Sequence, residues 1–174
     1  GGGVNIAGAN EVMLKLAEYT QIPVITTIMG KGSIPTTHDL YLGNIGIHGS
    51  YAANHAVSEC DVLFSIGTRF NDRITGKISE FAKHAKIINI DADSASISKN
   101  IVVDIPIVAD AKLAIEKLLE YVSPSKAEKW LEQVTEWKKA NPINMDKYEG
   151  LTPEKVIRYI NENIKHPIVA TDVG

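Results

Sequence analysis

Glycines and charged side chains follow several apolar segments of the chain, in a pattern that suits the binding of an anionic ligand. Arg69 and Arg73 lie in the segment 68–73, which follows the mostly apolar run 61–67. A guanidinium pairs with a phosphate or carboxylate in a forked geometry. Gly30 and Gly32 follow another apolar run, and glycine lets the backbone approach a ligand closely. These residue types together indicate a site for a diphosphate or a carboxylate.

Two aspartates stand at or near the ends of further apolar runs. Asp91 is the last residue of the run 86–91, and Asp110 follows the run 105–108 by two residues. An acidic residue at a strand end commonly accepts a hydrogen bond from a ribose hydroxyl. Each signal also has an ordinary alternative, because a glycine forms turns, an aspartate caps helices and an arginine makes surface ion pairs. A binding site is favoured because all of these residues would lie at one edge of a parallel sheet.

Signals for other chemistries are weak. His48 lies between two glycines in a predicted loop and the remaining histidines are scattered, so no metal site is expected. The sequence has no G-x-S-x-G nucleophile elbow and no pair of carboxylates that suits acid–base catalysis. Trp130 and Trp137 share one face of a predicted helix, and we expect them to pack that helix against a neighbour.

The elements that must position these residues alternate between strands and helices. Apolar and β-branched runs predict strands, and apolar residues at helical spacing predict helices. Such alternation is typical of a parallel sheet covered on both faces, which predicts a doubly wound, Rossmann-like α/β fold. The predicted strands are 23–28, 61–67, 86–91 and 105–108, the helices 9–20 (capped by Asn10), 50–59 and 110–121, and the loops 29–35 and 42–49.

The organisation of the chain changes after residue 123. Residues 1–123 form the predicted α/β domain, whose first strand is expected before the glycine run 1–3 because such a run usually forms the turn after a strand. Residues 124–150 are predicted to be a linker helix and a loop. Residues 151–174 contain a predicted helix and a strand, which cannot bury a core alone, so we expect them to open a second, longer domain.

Composition restricts the class of protein. Apolar residues make up 44% of the 174 residues and charged residues 22%, with a net charge of −3, as in ordinary soluble globular proteins. No Lys/Arg-rich block suggests nucleic acid as a partner, and no apolar run is long enough for a membrane helix. The single cysteine, Cys60, and the absence of a signal-like start favour a cytoplasmic protein.

Residues 67–77, GTRFNDRITGK, closely resemble the G-x-R-F-D-D-R-V-T-G-K motif of the acetolactate synthase (acetohydroxyacid synthase) catalytic subunit. The resemblance continues in the M-G-x-G-x-x-P loop at 29–35, the G-M-H-G turn at 46–49 and the I-D-I-D segment at 90–93. The triple glycine at 1–3 also matches, so the resemblance covers nearly the whole chain. By this combined pattern the chain is identified as similar to the central domain of that thiamine-diphosphate enzyme.

The resemblance implies a function for the full-length protein. Family members condense two pyruvates, or pyruvate and 2-ketobutyrate, with loss of CO2, at the start of branched-chain amino-acid biosynthesis. They use thiamine diphosphate, Mg²⁺ and FAD, of which the central domain binds FAD in a non-redox role. The resemblance also implies a homodimer or tetramer with a small regulatory subunit. Because catalytic groups come from the N- and C-terminal domains, this piece is expected to be inactive alone.

The resemblance also assigns residues of this chain to the site. Arg73 is expected at the substrate channel, where it would hold the carboxylate of the second ketoacid. Val173 and Gly174 match the first contacts of thiamine diphosphate. The FAD contacts are expected in the turns, at Gly1, Gly2, Gly3, Thr27, Ile28, Met29, Gly46, Ile47, His48, Gly49, Gly67, Arg69, Asn71, Arg73, Ile74, Asp91, Ala92, Ala109, Asp110 and Ala111.

The sequence departs from the family pattern at three places. Asn71 replaces an aspartate, Ile47 replaces a methionine, and 109–111 read Ala-Asp-Ala where the family has Gly-Asp. These departures leave a catabolic, flavin-free relative open. Two further alternatives also stay open: another thiamine enzyme, such as a pyruvate oxidase or a glyoxylate carboligase, and a nucleotide-binding module without catalysis.

Overall fold

The computed structural model describes residues 1–124, 127–142 and 148–170. The chain divides into two compact units, Gly1–Asn141 and Pro142–Gly174. None of the described helices is long and apolar enough to cross a bilayer.

Two parallel sheets form the framework of the first unit. One sheet pairs β1 with β2, and the other has the order β3-β4-β5. Because every pairing is parallel, the predicted α/β class is confirmed. The strands are β1 (Val24–Thr26), β2 (Tyr41–Asn44), β3 (Val62–Ile66), β4 (Lys86–Asp91) and β5 (Ile105–Val108).

Helices begin where side chains can cap their free backbone N–H groups. Ser50 Oγ accepts from the Ala53 N–H at 3.2 Å, and Asp110 Oδ1 accepts from the Lys112 N–H at 2.9 Å, so both helices start close to their predicted positions. The helices of this unit are α1 (Gly2–Ile6), α2 (Asn10–Thr20), α3 (Tyr51–Glu59), α4 (Asp72–Thr75), α5 (Ala111–Leu118) and α6 (Glu128–Ala140), with 3₁₀ turns at Ile28–Gly30 and Ile78–Glu80.

Two helices join the sheets from opposite faces. On one face, α2 packs Leu16 into a core with Ile66 and Ile90, and packs Ala17 against β1. On the other face, α3 contributes Val57 to the core with Ile87, and contributes Ala52 and Ala56 to a cluster that contains Leu42 and Val134. This double coverage is the doubly wound arrangement that the sequence predicts.

The linker helix α6 packs as its apolar face predicts. Val134 is fully buried beside Leu42, with Trp130 and Trp137 against the same cluster. The two indole rings meet edge to face with centroids 5.7 Å apart, a favourable geometry for aromatic pairs.

Two local predictions for the first unit are wrong. Residues 42–49 were expected to be a loop, but Tyr41–Asn44 form β2, because parallel pairing with β1 overrides the loop-like glycine Gly43.

Asn10 was expected to cap α2, but Ala9 occupies the cap position. The Asn10 side chain instead donates to the Gly32 C=O at 2.9 Å, a contact between distant residues that local pattern does not reveal.

The second unit contains α7 (Pro153–Asn163). Its start is as predicted, because Thr152 Oγ1 accepts from the Lys155 N–H at 3.3 Å and Pro153 stands in the first turn. The strand predicted over 166–172 is wrong for the described residues 166–170, which are exposed and outside any strand. A strand forms only when a partner satisfies its backbone hydrogen bonds. Positions 171–172 lie outside the described residues.

Candidate functional site

The turns that follow the five strands lie at one rim of the first unit. Within each sheet this follows from parallel pairing, because carboxyl ends of parallel strands share an edge. Between the sheets, the Ile47 N–H after β2 donates to the Arg73 C=O after β3 at 3.1 Å. A Cβ on Gly30, after β1, would lie 3.0 Å from Gly1 Cα, so this turn also lies against the start of the chain.

Gly1–Gly3 form a junction between residues that follow β1 and residues that follow β3. On the β1 side, a Cβ on Gly2 would lie 3.1 Å from the Met29 Cβ. The Gly1 amine donates to the Ile66 C=O at 2.7 Å and the Gly3 N–H to the Gly67 C=O at 3.2 Å. In open α/β sheets, ligands bind in the crevice beyond the carboxyl ends of the strands, and the junction lies at these ends.

In a polypeptide that begins at Gly1, the amine of this residue makes the stability depend on pH. Burial lowers the pKa of the amine from 8.0 to about 6, an effect that the nearby Asp91 carboxylate opposes. Between these values the unfolded chain binds more protons than the folded chain, so stability rises with pH. We expect the free energy of unfolding to increase by about 2 kcal/mol from pH 6 to pH 8.

Urea unfolding of the 174-residue chain at the two pH values measures this increase. The matched control is the same chain acetylated at Gly1, whose amide N–H still donates but no longer titrates. The acetylated chain retains the contribution of every other group. An equal increase in both forms would contradict the prediction.

Arg69 and Arg73 flank the turn after β3, and both are exposed at the rim. In the part of the chain that the structure describes, neither guanidinium forms an ion pair or a side-chain hydrogen bond. Direct ion pairs therefore do not support the alternative interpretation there. The pKa of Asp93 is lowered mainly by the hydrogen bond from Ser96, with a smaller contribution from the charge of Arg69. Two exposed cations on one turn can bind a diphosphate or a carboxylate.

Phe70 anchors the backbone between the two arginines. It is buried, with its ring edge to face with Phe81 at a centroid distance of 5.9 Å, yet its φ is +50°. A bulky residue in the left-handed region is strained, typically by about 1–3 kcal/mol, and here ring burial offsets that cost. The Arg69 C=O also accepts from Asn100 Nδ2 at 2.9 Å. The backbone that carries the arginines is thus held in one conformation.

The two aspartates of the rim are already partly engaged. Asp91 Oδ1 accepts from the Asp93 N–H at 2.9 Å, closing a turn after β4. Asp110 Oδ1 accepts from the N–H groups at the start of α5. Asp110 therefore has the helix-capping role that was the alternative to ligand binding. Asp91 closes a turn instead, since no described helix follows β4 before β5. A carboxylate has a second oxygen and several lone pairs, so these contacts leave room for a ribose hydroxyl.

Apolar side chains project into solvent along the same rim. Ile28 and Met29 after β1 are 72% and 73% exposed, and Ile47 after β2 is 64% exposed. Exposed apolar side chains that cluster beside charged groups mark binding surfaces more often than isolated ones do. The rim therefore offers both cationic and apolar contacts.

The other predicted site residues are distributed as follows. His48 is exposed in the turn after β2, whereas the Thr27 side chain is used internally, accepting from the Gly30 N–H at 3.0 Å. Asn71 precedes α4, and its side chain makes no hydrogen bond within the described residues. Gly2, Gly49, Ile74, Ala92, Ala109 and Ala111 lie in or beside the rim turns. Val173 and Gly174 lie outside the described residues.

Two asparagines that the sequence analysis did not assign to the site hold the loop after β1. Asn5 Nδ2 donates to the Met29 C=O at 3.0 Å and to the Lys31 C=O at 3.2 Å. Asn10 Nδ2 donates to Asn5 Oδ1 at 3.0 Å. The only available signal was two asparagines near helix starts, a common pattern with many roles.

Other chemistries have little support in the described ranges. No group of three or more His, Cys, Asp or Glu residues there suits a metal ion. Burial raises the pKa of the Cys60 thiol to about 11, so this residue is protonated near neutral pH and unsuited to act as a nucleophile.

The sequence of the chain is similar to a known protein family and to several known proteins. Residues 1–118 match the family described as "Thiamine pyrophosphate enzyme, central domain". The chain is 48% identical to the "Probable acetolactate synthase large subunit" of Methanocaldococcus jannaschii and 46% identical to that of Methanococcus aeolicus. It is 40% identical to the "Acetolactate synthase large subunit" of Cyanidium caldarium.

All three comparisons cover 100% of this chain but only 31%, 32% and 31% of the respective relatives. The chain therefore spans about a third of the length of the curated relatives it matches.

Proposed function

The chain belongs to the thiamine pyrophosphate enzymes, through their central domain, and from this premise we propose that it is the FAD-binding domain of an acetolactate synthase catalytic subunit. The observation that carries the proposal is the convergence of five strand turns on one rim. The glycine junction Gly1–Gly3 lies at that rim, as do the exposed side chains of Arg69 and Arg73 in the segment after β3.

The chemistry of the rim fits a flavin dinucleotide. The glycine junction provides backbone without side chains, which suits close approach of a diphosphate, and the exposed guanidiniums supply charge for it. The apolar side chains of Ile28, Met29 and Ile47 suit the flat, mostly apolar flavin ring. The free oxygens of Asp91 and Asp110 suit hydroxyl groups. The remaining residues assigned to FAD would contribute backbone contacts from the same turns.

In the full-length enzyme we propose the condensation of two pyruvates into 2-acetolactate and CO2, or of pyruvate and 2-ketobutyrate into acetohydroxybutyrate. Thiamine diphosphate, bound with Mg²⁺ outside the described residues, would supply the carbanion chemistry. The contribution of this chain is binding and orientation. Arg73 would hold the carboxylate of the second ketoacid in its guanidinium fork and so direct the ketone carbon towards the reacting centre.

The remaining proposals rest on the family resemblance. Residues 151–174 would open the thiamine-binding domain, with Val173 and Gly174 near the cofactor diphosphate. The enzyme would form a homodimer or tetramer with a small regulatory subunit in the cytoplasm. The isolated chain would make no acetolactate.

The test uses the full-length protein and two readouts. We expect the purified protein to show the absorption bands of oxidised flavin and to convert pyruvate into 2-acetolactate, with the bands unchanged during turnover. Loss of the bands on adding pyruvate without an electron acceptor would instead favour a pyruvate oxidase. A protein that neither holds flavin nor consumes ketoacids would support a nucleotide-binding module.

A further inference from the structure

Asn54, on the first turn of α3, binds the backbone of a single residue with both ends of its side-chain amide. Its Oδ1 accepts from the Gly46 N–H at 3.0 Å, and its Nδ2 donates to the Gly46 C=O at 3.0 Å. Both backbone hydrogen-bonding groups of Gly46 are therefore bound by one side chain. Only an amide of this length offers a matched donor and acceptor at that position.

Gly46 in turn contacts the segment that carries Arg73. Its φ is +111°, and a Cβ there would collide with the Arg73 carbonyl oxygen. The next residue, Ile47, donates its N–H to the same carbonyl at 3.1 Å. A chain of contacts thus runs from Asn54 through the Gly46 turn to the Arg73 backbone.

Hydrogen bonds and apolar contact hold this turn together. A pocket of about 210 Å³ lies beside the turn, between α3 and α4, and Asn54, Ile45 and Ile74 are among its lining residues. Ile45 packs against the core cluster that contains Val57, and the Asn54 amide fixes the backbone of the next residue, Gly46.

We propose that Asn54 is a positioning residue, which sets the place of Arg73 and of the turn 46–49 relative to the ligands of the rim without touching those ligands. This inference rests on the proposed function, since it assumes that the rim holds flavin and that Arg73 binds the second ketoacid. Neither the family match nor the relatives assign this role to Asn54.

The test compares variants of the full-length enzyme. Asn54→Ala removes both hydrogen bonds, and we expect flavin to bind about tenfold more weakly and the KM for pyruvate to rise about tenfold. The kcat at saturating flavin and pyruvate should change less than twofold, because Asn54 is not expected to meet the reacting atoms. Amide hydrogen exchange at Gly46 and Ile47 should accelerate by a similar factor in flavin-free protein.

Two further variants keep the test decisive. Asn54→Asp retains an acceptor for the Gly46 N–H but loses the donor, so it should fall between wild type and Asn54→Ala even if the alanine variant folds poorly. Ser58→Ala is the matched control one turn later on α3. The Ser58 hydroxyl donates to the Asn54 C=O at 3.2 Å. The loss of this hydroxyl should leave the flavin affinity and the KM for pyruvate within twofold of the wild-type values.

Each outcome has a defined meaning. If the wild-type enzyme binds flavin and makes acetolactate, but Asn54→Ala keeps both flavin affinity and KM, the positioning role is overturned while the proposed function stands. Unchanged amide exchange at Gly46 and Ile47 would also overturn it. If the wild-type enzyme binds no flavin and makes no acetolactate, the proposed function fails, and this inference fails with it.

Discussion

Replacement of Arg73 by alanine in the full-length enzyme is expected to raise the KM for the ketoacid about 100-fold. The exposed guanidinium has no ion-pair partner among the described residues, so the loss is of ligand contacts rather than of internal structure. A bidentate, charge-assisted pair with a carboxylate contributes about 3 kcal/mol, which corresponds to that factor. Arg73→Lys keeps the charge but loses the fork, and should raise KM about tenfold.

Steady-state kinetics with pyruvate at saturating flavin measure these changes. The matched control is Lys77→Ala, which removes an exposed cation one turn further along the chain, whose contact is Glu80 at 3.7 Å. This control should leave KM within twofold. Arg69→Ala distinguishes the flavin contact from the ketoacid contact. We expect this variant to weaken flavin binding without raising the KM for pyruvate at saturating flavin. A KM for Arg73→Ala close to the wild-type value would remove Arg73 from the substrate channel.

Replacement of Gly67 by alanine is expected to destabilise the chain by about 3–5 kcal/mol. Gly67 has φ +60°, and a Cβ there would lie 2.5 Å from the Cα and 2.9 Å from the N of Gly3. Backbone atoms cannot move aside as a flexible side chain can, so overpacking adds to the cost of the left-handed conformation. The change would separate the two backbones at the junction, and we expect it to abolish flavin binding in the full-length enzyme.

Gly8→Ala is the matched control for this substitution. Gly8 has φ +61°, almost the same as Gly67, but nothing lies within 4 Å of a Cβ at this position. Its cost should therefore be the conformational strain alone, about 1 kcal/mol. Urea denaturation of both variants measures the difference. Equal destabilisation would show that the junction is not as tightly packed as the structure indicates.

The stability of the junction has a consequence for ligand binding. Close contact between Gly1–Gly3 and Gly67 brings the two sheets together at the rim, although no strand pairing joins them there. Since the groups expected to bind FAD come from both sheets, their spacing depends on this contact. A substitution that separates the backbones would move Arg69 and Met29 apart without changing either residue.

Local sequence pattern predicted most of the elements that surround the site. The strands 86–91 and 105–108 have the predicted bounds, because short runs rich in isoleucine and valine favour strands. The helices that begin after Ser50, Asp110 and Thr152 start at their caps, because a side-chain acceptor beside free N–H groups is a local interaction. Whether the predicted flavin residues bind flavin stays a prediction.

What the sequence determined by itself is therefore the local part of the protein: the α/β class, the capped helices, and the motif that joins Arg69 to Arg73. The tertiary structure alone decided which distant backbones meet. It formed β2 from a glycine-containing segment, placed Gly1–Gly3 between the two sheets, and matched the Asn54 amide to Gly46. The physical reason is that capping and periodicity act over a few residues. Strand pairing, glycine contacts and amide–backbone hydrogen bonds instead depend on three-dimensional positions that no local spacing encodes.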